Sequence, residues 1–259
     1  MKNILKIMLM MITIFTIAGS AVYAAEIPVS DQDQLITSRD WTEISNLQDE
    51  MKKEEPDATI DYDKALKVYV DCNLIKLQTA DTKKLTSALE SANYVWVIPF
   101  KMEKTYGMFT VAKGLPLSEE AKSVLTKAEQ EEVKNHAGKW MITETAEHTV
   151  EPYYDILLEK REALSDCTRV VLVGSQPGMR QPVALGMDDE TARIWISLGY
   201  QYPVMEKIPE TQNVESGVYS FDSVAEISDT YIEDSEVSTG AGVQSRSSMK
   251  YVAGIGIIV

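Results

Sequence analysis

Hydrophobic and polar positions alternate along residues 66–74, and this period of two predicts a β-strand with one buried face. Other short runs are rich in β-branched and aromatic residues, which is also typical of strands. They are residues 94–98, 107–112, 140–145, 169–173, 182–185 and 192–198. Pro99 follows the first of these runs and is expected to end it, because proline cannot donate to a strand ladder.

A period near 3.6 residues marks other segments and predicts helices. The first helix is predicted to begin after Asp40, which is spaced with Glu43 as a capping box, and another is predicted from Asp81 to Ala92. A third begins after Ser118, a favourable N-cap, and a fourth begins at Pro152. The predicted buried stripe of the third helix consists of Ala121, Val124, Leu125 and Ala128.

Strand pairs joined by short turns, with helices grouped between them, predict an α+β domain at residues 58–205. We expect a mainly antiparallel sheet with helices packed on one face. Strands and helices do not alternate regularly, which argues against a doubly wound nucleotide-binding fold. Residues 25–57 are predicted to be a polar segment with one amphipathic helix, which must dock on the domain or on a partner.

The N-terminal residues have the three zones of a secretory signal peptide. Lys2 and Lys6 precede an apolar run at residues 7–18, and small or branched residues lead up to Ala24. The apolar run is short for a membrane span. We therefore predict a signal peptide at residues 1–24 and an exported protein, extracellular or at the cell surface. An uncleaved N-terminal anchor is the alternative.

The C-terminal part of the chain changes composition twice. Residues 206–248 are acidic and rich in serine and threonine, which predicts a disordered linker or tail. Residues 249–259 are then mostly apolar. This segment could be part of a truncated membrane anchor behind a stalk, or a terminal strand that returns to the sheet. The anchor is slightly favoured, because a lysine and a long polar stalk precede the apolar run.

Charge and cysteine content narrow the classes of partner. The 259-residue chain has a formal net charge of −15, so direct binding to nucleic acid is not expected. Cys72 and Cys167 are its two cysteines, and in an exported protein they could form a disulfide or remain as buried free thiols. They do not form a CxxC pair, so neither a zinc site nor a redox motif is predicted.

The most site-like stretch is VLVGSQPGMRQPVALGM, residues 171–187. A phosphate-binding loop needs consecutive backbone amides before a helix, but Pro177 removes one amide and no lysine follows. A nucleophilic serine elbow needs Gly-x-Ser-x-Gly, and Gly174 precedes Ser175 directly. We therefore predict a turn between two strands, from which Arg180 could project to bind a carboxylate.

No catalytic, cofactor-binding or metal site is identified from the sequence, and no cofactor is predicted. His136 is expected at a helix C-terminus, where its charge would favour the helix dipole. His148 lies in a polar stretch without an HExxH pattern. Three side chains remain as weak binding-surface candidates: Trp96 on an aromatic strand, Arg180 and His148.

The first functional hypothesis is a non-enzymatic extracytoplasmic domain that binds a protein, peptide or glycan, with anchoring to the membrane through residues 249–259. The second is an exported hydrolase that uses carboxylates, with or without His148. The third is a structural or regulatory subunit whose N-terminal helix docks on another membrane protein. An exposed cleft with converging acids would favour the second, and an uncovered apolar stripe on the N-terminal helix would favour the third.

Overall fold

The computed structural model describes residues 27–148, 150–174, 176–179, 181–200 and 202–235. Within these residues ten strands form one sheet, in which β2 and β6 are parallel and the other paired strands are antiparallel. The strands are β1 Thr59–Ile60, β2 Leu66–Val70, β3 Asn93–Lys101, β4 Tyr106–Lys113, β5 Trp140–His148, β6 Arg169–Val173, β7 Val183–Met187, β8 Ala192–Ile196, β9 Asn213–Glu215 and β10 Val218–Ser220.

The order of strands across the sheet is β5-β4-β3-β2-β6-β7-β8-β10-β9. The short strand β1 pairs with β3 beyond the amino end of β2. Two antiparallel halves therefore meet at the parallel pair, where Val68 lies opposite Leu172. The predicted α+β class and the mainly antiparallel sheet are confirmed.

Pro99 does not end its strand, because β3 continues to Lys101. The carbonyl of Pro99 accepts a hydrogen bond of 2.9 Å from the amide of Asp61, on the β1 side. The amide and carbonyl of one strand residue point to the same neighbour, so the missing N–H also faces β1. That ladder is only two residues long, which is why the proline is tolerated there.

The helices are α1 Trp41–Ile44, α2 Gln48–Glu54, α3 Thr82–Ser91, α4 Glu119–Val124, α5 Lys127–His136, α6 Tyr153–Glu159, α7 Pro203–Glu206 and α8 Phe221–Ser235. The single helix predicted after Ser118 is wrong, because the chain breaks it into α4 and α5. Thr126 and Glu129 form a capping box that starts α5. Val124, predicted to be buried, is 79% exposed.

Helices cover both faces of the sheet, so the expectation of helices on one face is wrong. One face packs against α6 through Tyr153 and Leu157, and we call it the α6 face. The opposite face is covered by α1 and α2 over the β3–β5 half, through Ile44 and Met51. Over the β6–β8 half it is covered by α3, α7 and α8.

The N-terminal segment passes through the sheet between the amino ends of β2 and β6. Ile27 and Val29 pack on the α6 face, and Val29 pairs with Val170 of β6. Gln34 pairs with Leu66 of β2, and the next residue, Leu35, is buried on the opposite face. Residues 27–57 are thus part of the domain, and their apolar stripe docks on their own sheet.

Residues 206–235 are folded, so the prediction of a disordered tail from residue 206 is wrong for this part. The β9–β10 hairpin extends the sheet beside β8, and α8 packs Phe221 and Val224 into the core. A few apolar residues are enough to hold this part on the domain, because Phe221 and Val224 are both almost fully buried. The predicted signal peptide and the predicted C-terminal anchor or strand lie outside the described residues. Within them, no helix is both long and apolar enough to cross a bilayer.

Candidate functional site

The amino ends of β2 and β6 hold a buried ionic cluster around Asp33, whose side chain is 2% exposed. Its carboxylate accepts hydrogen bonds from Ser30 Oγ at 2.6 Å and from the Tyr69 hydroxyl at 2.7 Å. It also pairs with Arg169 Nη2 at 3.1 Å and with Lys67 Nζ at 3.4 Å. We call these five residues the Asp33 cluster.

Lys67 also lies among aromatic rings. Its Nζ is 4.7 Å from the ring centroid of Tyr94 and 5.3 Å from that of Trp96. Both rings donate hydrogen bonds to the buried carboxylate of Asp40, from Tyr94 Oη at 2.9 Å and from Trp96 Nε1 at 3.1 Å. Asp40 precedes α1 but forms no side-chain cap bond, so the predicted capping box is wrong. Its carboxylate instead ties α1 to β3.

The charges of the Asp33 cluster compensate one another. Burial by itself would raise the pKa of Asp33, but hydrogen bonds from Ser30 and Tyr69 and the charges of Arg169 and Lys67 hold it below its usual value. Burial lowers the pKa of Lys67, and the Asp33 charge opposes that shift. The cluster therefore fastens the N-terminal segment where it crosses the sheet.

The carboxyl ends of β2 and β6 hold a second polar arrangement, centred on Gln176 of the Gly-Ser-Gln-Pro-Gly stretch. The buried Gln176 amide accepts from Leu74 N at 2.9 Å and donates to Cys72 O at 2.6 Å and to Gly174 O at 2.9 Å. It thereby joins the loop after β2 to the loop after β6. The stretch is a turn between β6 and β7, as predicted, although Ser175 and Arg180 lie outside the described residues.

A pocket with a volume of about 320 Å³ opens beside the loop after β2. Its walls come from the end of β2, the start of β3, the end of β4 with the turn that follows, and the start of β5. Most of the lining is apolar or aromatic, which is typical of sites for small molecules. The lining residues are Val70, Asp71, Ala92, Asn93, Tyr94, Ala112, Lys113, Gly114, Leu115, Pro116, Gly138 and Trp140.

Two opposite charges line this pocket. Asp71 has a left-handed backbone with φ of 58°, and its carboxylate accepts a hydrogen bond of 3.1 Å from Asn93 Nδ2. Lys113 lies on the other side of β3, with its Nζ 5.5 Å from the centroid of Trp140. A non-glycine residue in the left-handed region is uncommon, and such residues are found more often at functional sites.

Of the three predicted surface residues, Trp96 alone has its side chain within the described part of the chain. Trp96 is fully buried under α1, so it is not a surface residue and belongs to the core. The backbone of His148 ends β5 opposite Tyr106, but its side chain lies outside the described part, as does Arg180. The pocket residues Asp71 and Lys113 were not predicted from the sequence. Asp71 follows β2 and Lys113 ends β4, and nothing local indicates that these two positions meet.

The two cysteines are not bonded to each other in the structure. Cys72 packs against the apolar core beneath α3 and α8, whereas Cys167 packs on the α6 face. The sheet therefore separates the two cysteines. Burial raises the pKa of both thiols to about 11, assisted at Cys72 by the nearby charge of Asp71.

We expect both thiols to react slowly with iodoacetamide at pH 8 while the protein is folded. A pKa of about 11 in place of 9.0 lowers the thiolate fraction about 100-fold. Intact mass after labelling should show no adduct on the native protein and two after unfolding in urea without reductant. Failure of the unfolded, unreduced protein to take up the label would instead show a disulfide.

Comparison of the chain with models of protein families, with curated proteins and with solved structures found no match. Among the described residues, no group of three or more histidine, cysteine or acidic side chains could hold a metal ion. The candidate site therefore stands on its own geometry.

Proposed function

We propose that this chain is a non-enzymatic, exported binding domain, and that its ligand is a small molecule or a short peptide segment held in the pocket at the carboxyl end of β2. The observation that supports this most directly is the composition of the pocket. Apolar and aromatic walls surround it, and Asp71 and Lys113 contribute charges that could orient a bound molecule.

The placement of the other ionisable groups favours binding over hydrolysis. A hydrolase of the carboxylate-dependent type needs a pair of acids at the substrate, and Asp71 is the one acid among the described residues that line the pocket. Asp33, Lys67 and Arg169 are instead paired with one another at the opposite end of the β2–β6 pair. In the pocket itself, the Tyr94 hydroxyl already donates to Asp40.

The hypothesis of a docking subunit receives less support. It requires the apolar stripe of the N-terminal helix to face a partner, but Ile44 and Met51 are buried on the chain's own sheet. Export through residues 1–24 and anchoring through residues 249–259 remain parts of the proposal that rest on sequence. In that arrangement, α8 would lead from the binding domain towards the cell surface.

Filling the pocket is expected to abolish ligand binding. Ala92 lines the pocket at the end of α3, and Ala92→Phe should place a ring in the space that a ligand needs. The probes are three uncharged fragments, indole, 4-methylphenol and 3-phenylpropionamide, followed by ¹H–¹⁵N chemical-shift titration. We expect saturable shifts at Tyr94 and Lys113 for at least one fragment, and at least a tenfold weaker response in the variant.

Ser87→Phe adds the same ring on an exposed position of the same helix and is the matched control. It should bind the fragments as the wild type does. Absence of any saturable binding, or equal binding by Ala92→Phe and the wild type, would contradict the proposed pocket.

A further inference from the structure

We propose that the pocket takes a small zwitterion with an apolar body, namely a free apolar amino acid or a dipeptide with unblocked ends. Its ammonium group would pair with Asp71 and its carboxylate with Lys113. This inference rests on the proposed function, because it specifies the ligand class of the same pocket.

Both charges in the pocket lack an ionic partner in the described part of the chain. The carboxylate of Asp71 is held by the neutral amide of Asn93, and the ammonium of Lys113 lies over the Trp140 ring. A lysine without an ionic partner, in a pocket with mostly apolar walls, can pair with the anionic group of a ligand.

The spacing of these two charges suits a short ligand. Asp71 follows β2, Lys113 ends β4, and β3 lies between the two strands. Two strand spacings separate the two residues by about 9.6 Å across the sheet, and the register offsets them by about 6.6 Å along it, so their backbones are about 12 Å apart. Both side chains line the pocket between these positions, so one short ligand that carries an ammonium and a carboxylate can contact both. A long peptide would extend beyond both charges.

The signs of the two charges and the volume of the pocket also favour a small zwitterion. Lys113 would attract a simple anion, but Asp71 would repel it. A simple cation would be attracted by Asp71 and repelled by Lys113. A zwitterion can pair with both residues at once. A volume of about 320 Å³ equals the liquid volume of about ten water molecules at about 30 Å³ each, which is enough room for a ligand of about a dozen non-hydrogen atoms. Phenylalanine and alanyl-alanine have about this size.

Titration calorimetry with matched ligands tests the proposal. The probes are L-phenylalanine, L-alanyl-L-alanine, N-acetyl-L-phenylalanine, which lacks the ammonium, and L-phenylalaninamide, which lacks the carboxylate. We expect at least one of the two free zwitterions to bind, and each blocked derivative of phenylalanine to bind at least tenfold more weakly than phenylalanine. If phenylalanine binds, the ligand is an amino acid; if only alanyl-alanine binds, it is a dipeptide, and its blocked derivatives replace those of phenylalanine.

Two variants give a crossed pattern that nonspecific loss of structure would not produce. Lys113→Gln should weaken the acetylated ligand tenfold or more but leave the amide ligand unchanged. Asp71→Asn should do the reverse, and asparagine also tolerates the left-handed backbone at this position. Lys104→Gln and Asp57→Asn change the same residue types at exposed positions away from the pocket and should bind as the wild type does.

Equal binding of free and blocked ligands, or no crossed pattern in the variants, would overturn the zwitterion inference. The proposed pocket would then still stand if the uncharged fragments bind and Ala92→Phe blocks them. If neither the fragments nor the zwitterions bind, both proposals are wrong.

Discussion

Replacement of Asp33 by asparagine is expected to lower the free energy of unfolding by about 3–5 kcal/mol, the usual cost of removing one partner from a buried ion pair. The substitution keeps the size of the side chain but removes its charge. Lys67 and Arg169 would then be left in the interior without the carboxylate that compensates them. The hydrogen bonds from Ser30 and Tyr69 would also meet a poorer acceptor.

The same variant should change the dependence of stability on pH. The pKa of Asp33 is lower in the folded protein than its ordinary value of 3.8, so its contribution is fully present above that value. The wild type loses this stabilisation as the pH falls through the folded pKa and the carboxylate becomes protonated. The variant has no carboxylate at this position, so its free energy of unfolding should not show that decrease at low pH. Lys67 has a lowered pKa, so the variant should recover part of its stability as the pH rises towards 10.5.

Urea unfolding followed by tryptophan fluorescence measures both effects. Asp31→Asn, an exposed position in the same helical turn, is the control and should change stability by no more than about 0.5 kcal/mol. A loss of less than about 1 kcal/mol in Asp33→Asn, close to the value of an exposed ion pair, would show that the cluster is solvated in solution.

Replacement of Gln176 by alanine is expected to cost about 3 kcal/mol, because each buried polar group left unpaired costs about 1–3 kcal/mol. Three backbone groups lose their partner: the amide of Leu74 and the carbonyls of Cys72 and Gly174. The loops after β2 and β6 would no longer be joined by this side chain. Since Cys72 follows Asp71, we also expect broadened amide signals at the edge of the pocket.

Gln176→Glu separates the hydrogen bonds of this residue from its packing. A carboxylate can still accept from Leu74 N but cannot donate to the two carbonyls, so this variant should be destabilised nearly as much as the alanine variant. Gln48→Ala removes an exposed glutamine and is expected to change stability by no more than about 0.5 kcal/mol. Equal stability of the wild type and Gln176→Ala in thermal and urea unfolding would contradict the assigned role.

Local sequence signals predicted many of the elements. The strand at residues 169–173 has the predicted bounds, and Asp81 caps α3 through Lys84 N. These features depend on alternation and on capping residues, which act over only a few positions. The predicted single helix after Ser118 failed for a related reason, since the capping box at Thr126 starts a new helix.

The predictions were wrong for side chains whose contacts are distant in the sequence. Lys67 lies at a polar position of an alternating strand, which predicts exposure, yet it is 8% exposed because the N-terminal segment covers it. Asp40 precedes a helix as a cap residue would, but two aromatic donors from β3 take its carboxylate. In each case a partner more than 30 positions away overrides the local preference.

The sequence by itself determined the α+β class and the positions of most strands, because periodicity and turn residues act locally. Only the tertiary structure decided that Asp33 meets Arg169, 136 positions away, and that Asp71 and Lys113 face one pocket. The order of strands in the sheet brings the residues of each pair close together. That order follows from packing of the whole chain, which no local pattern specifies.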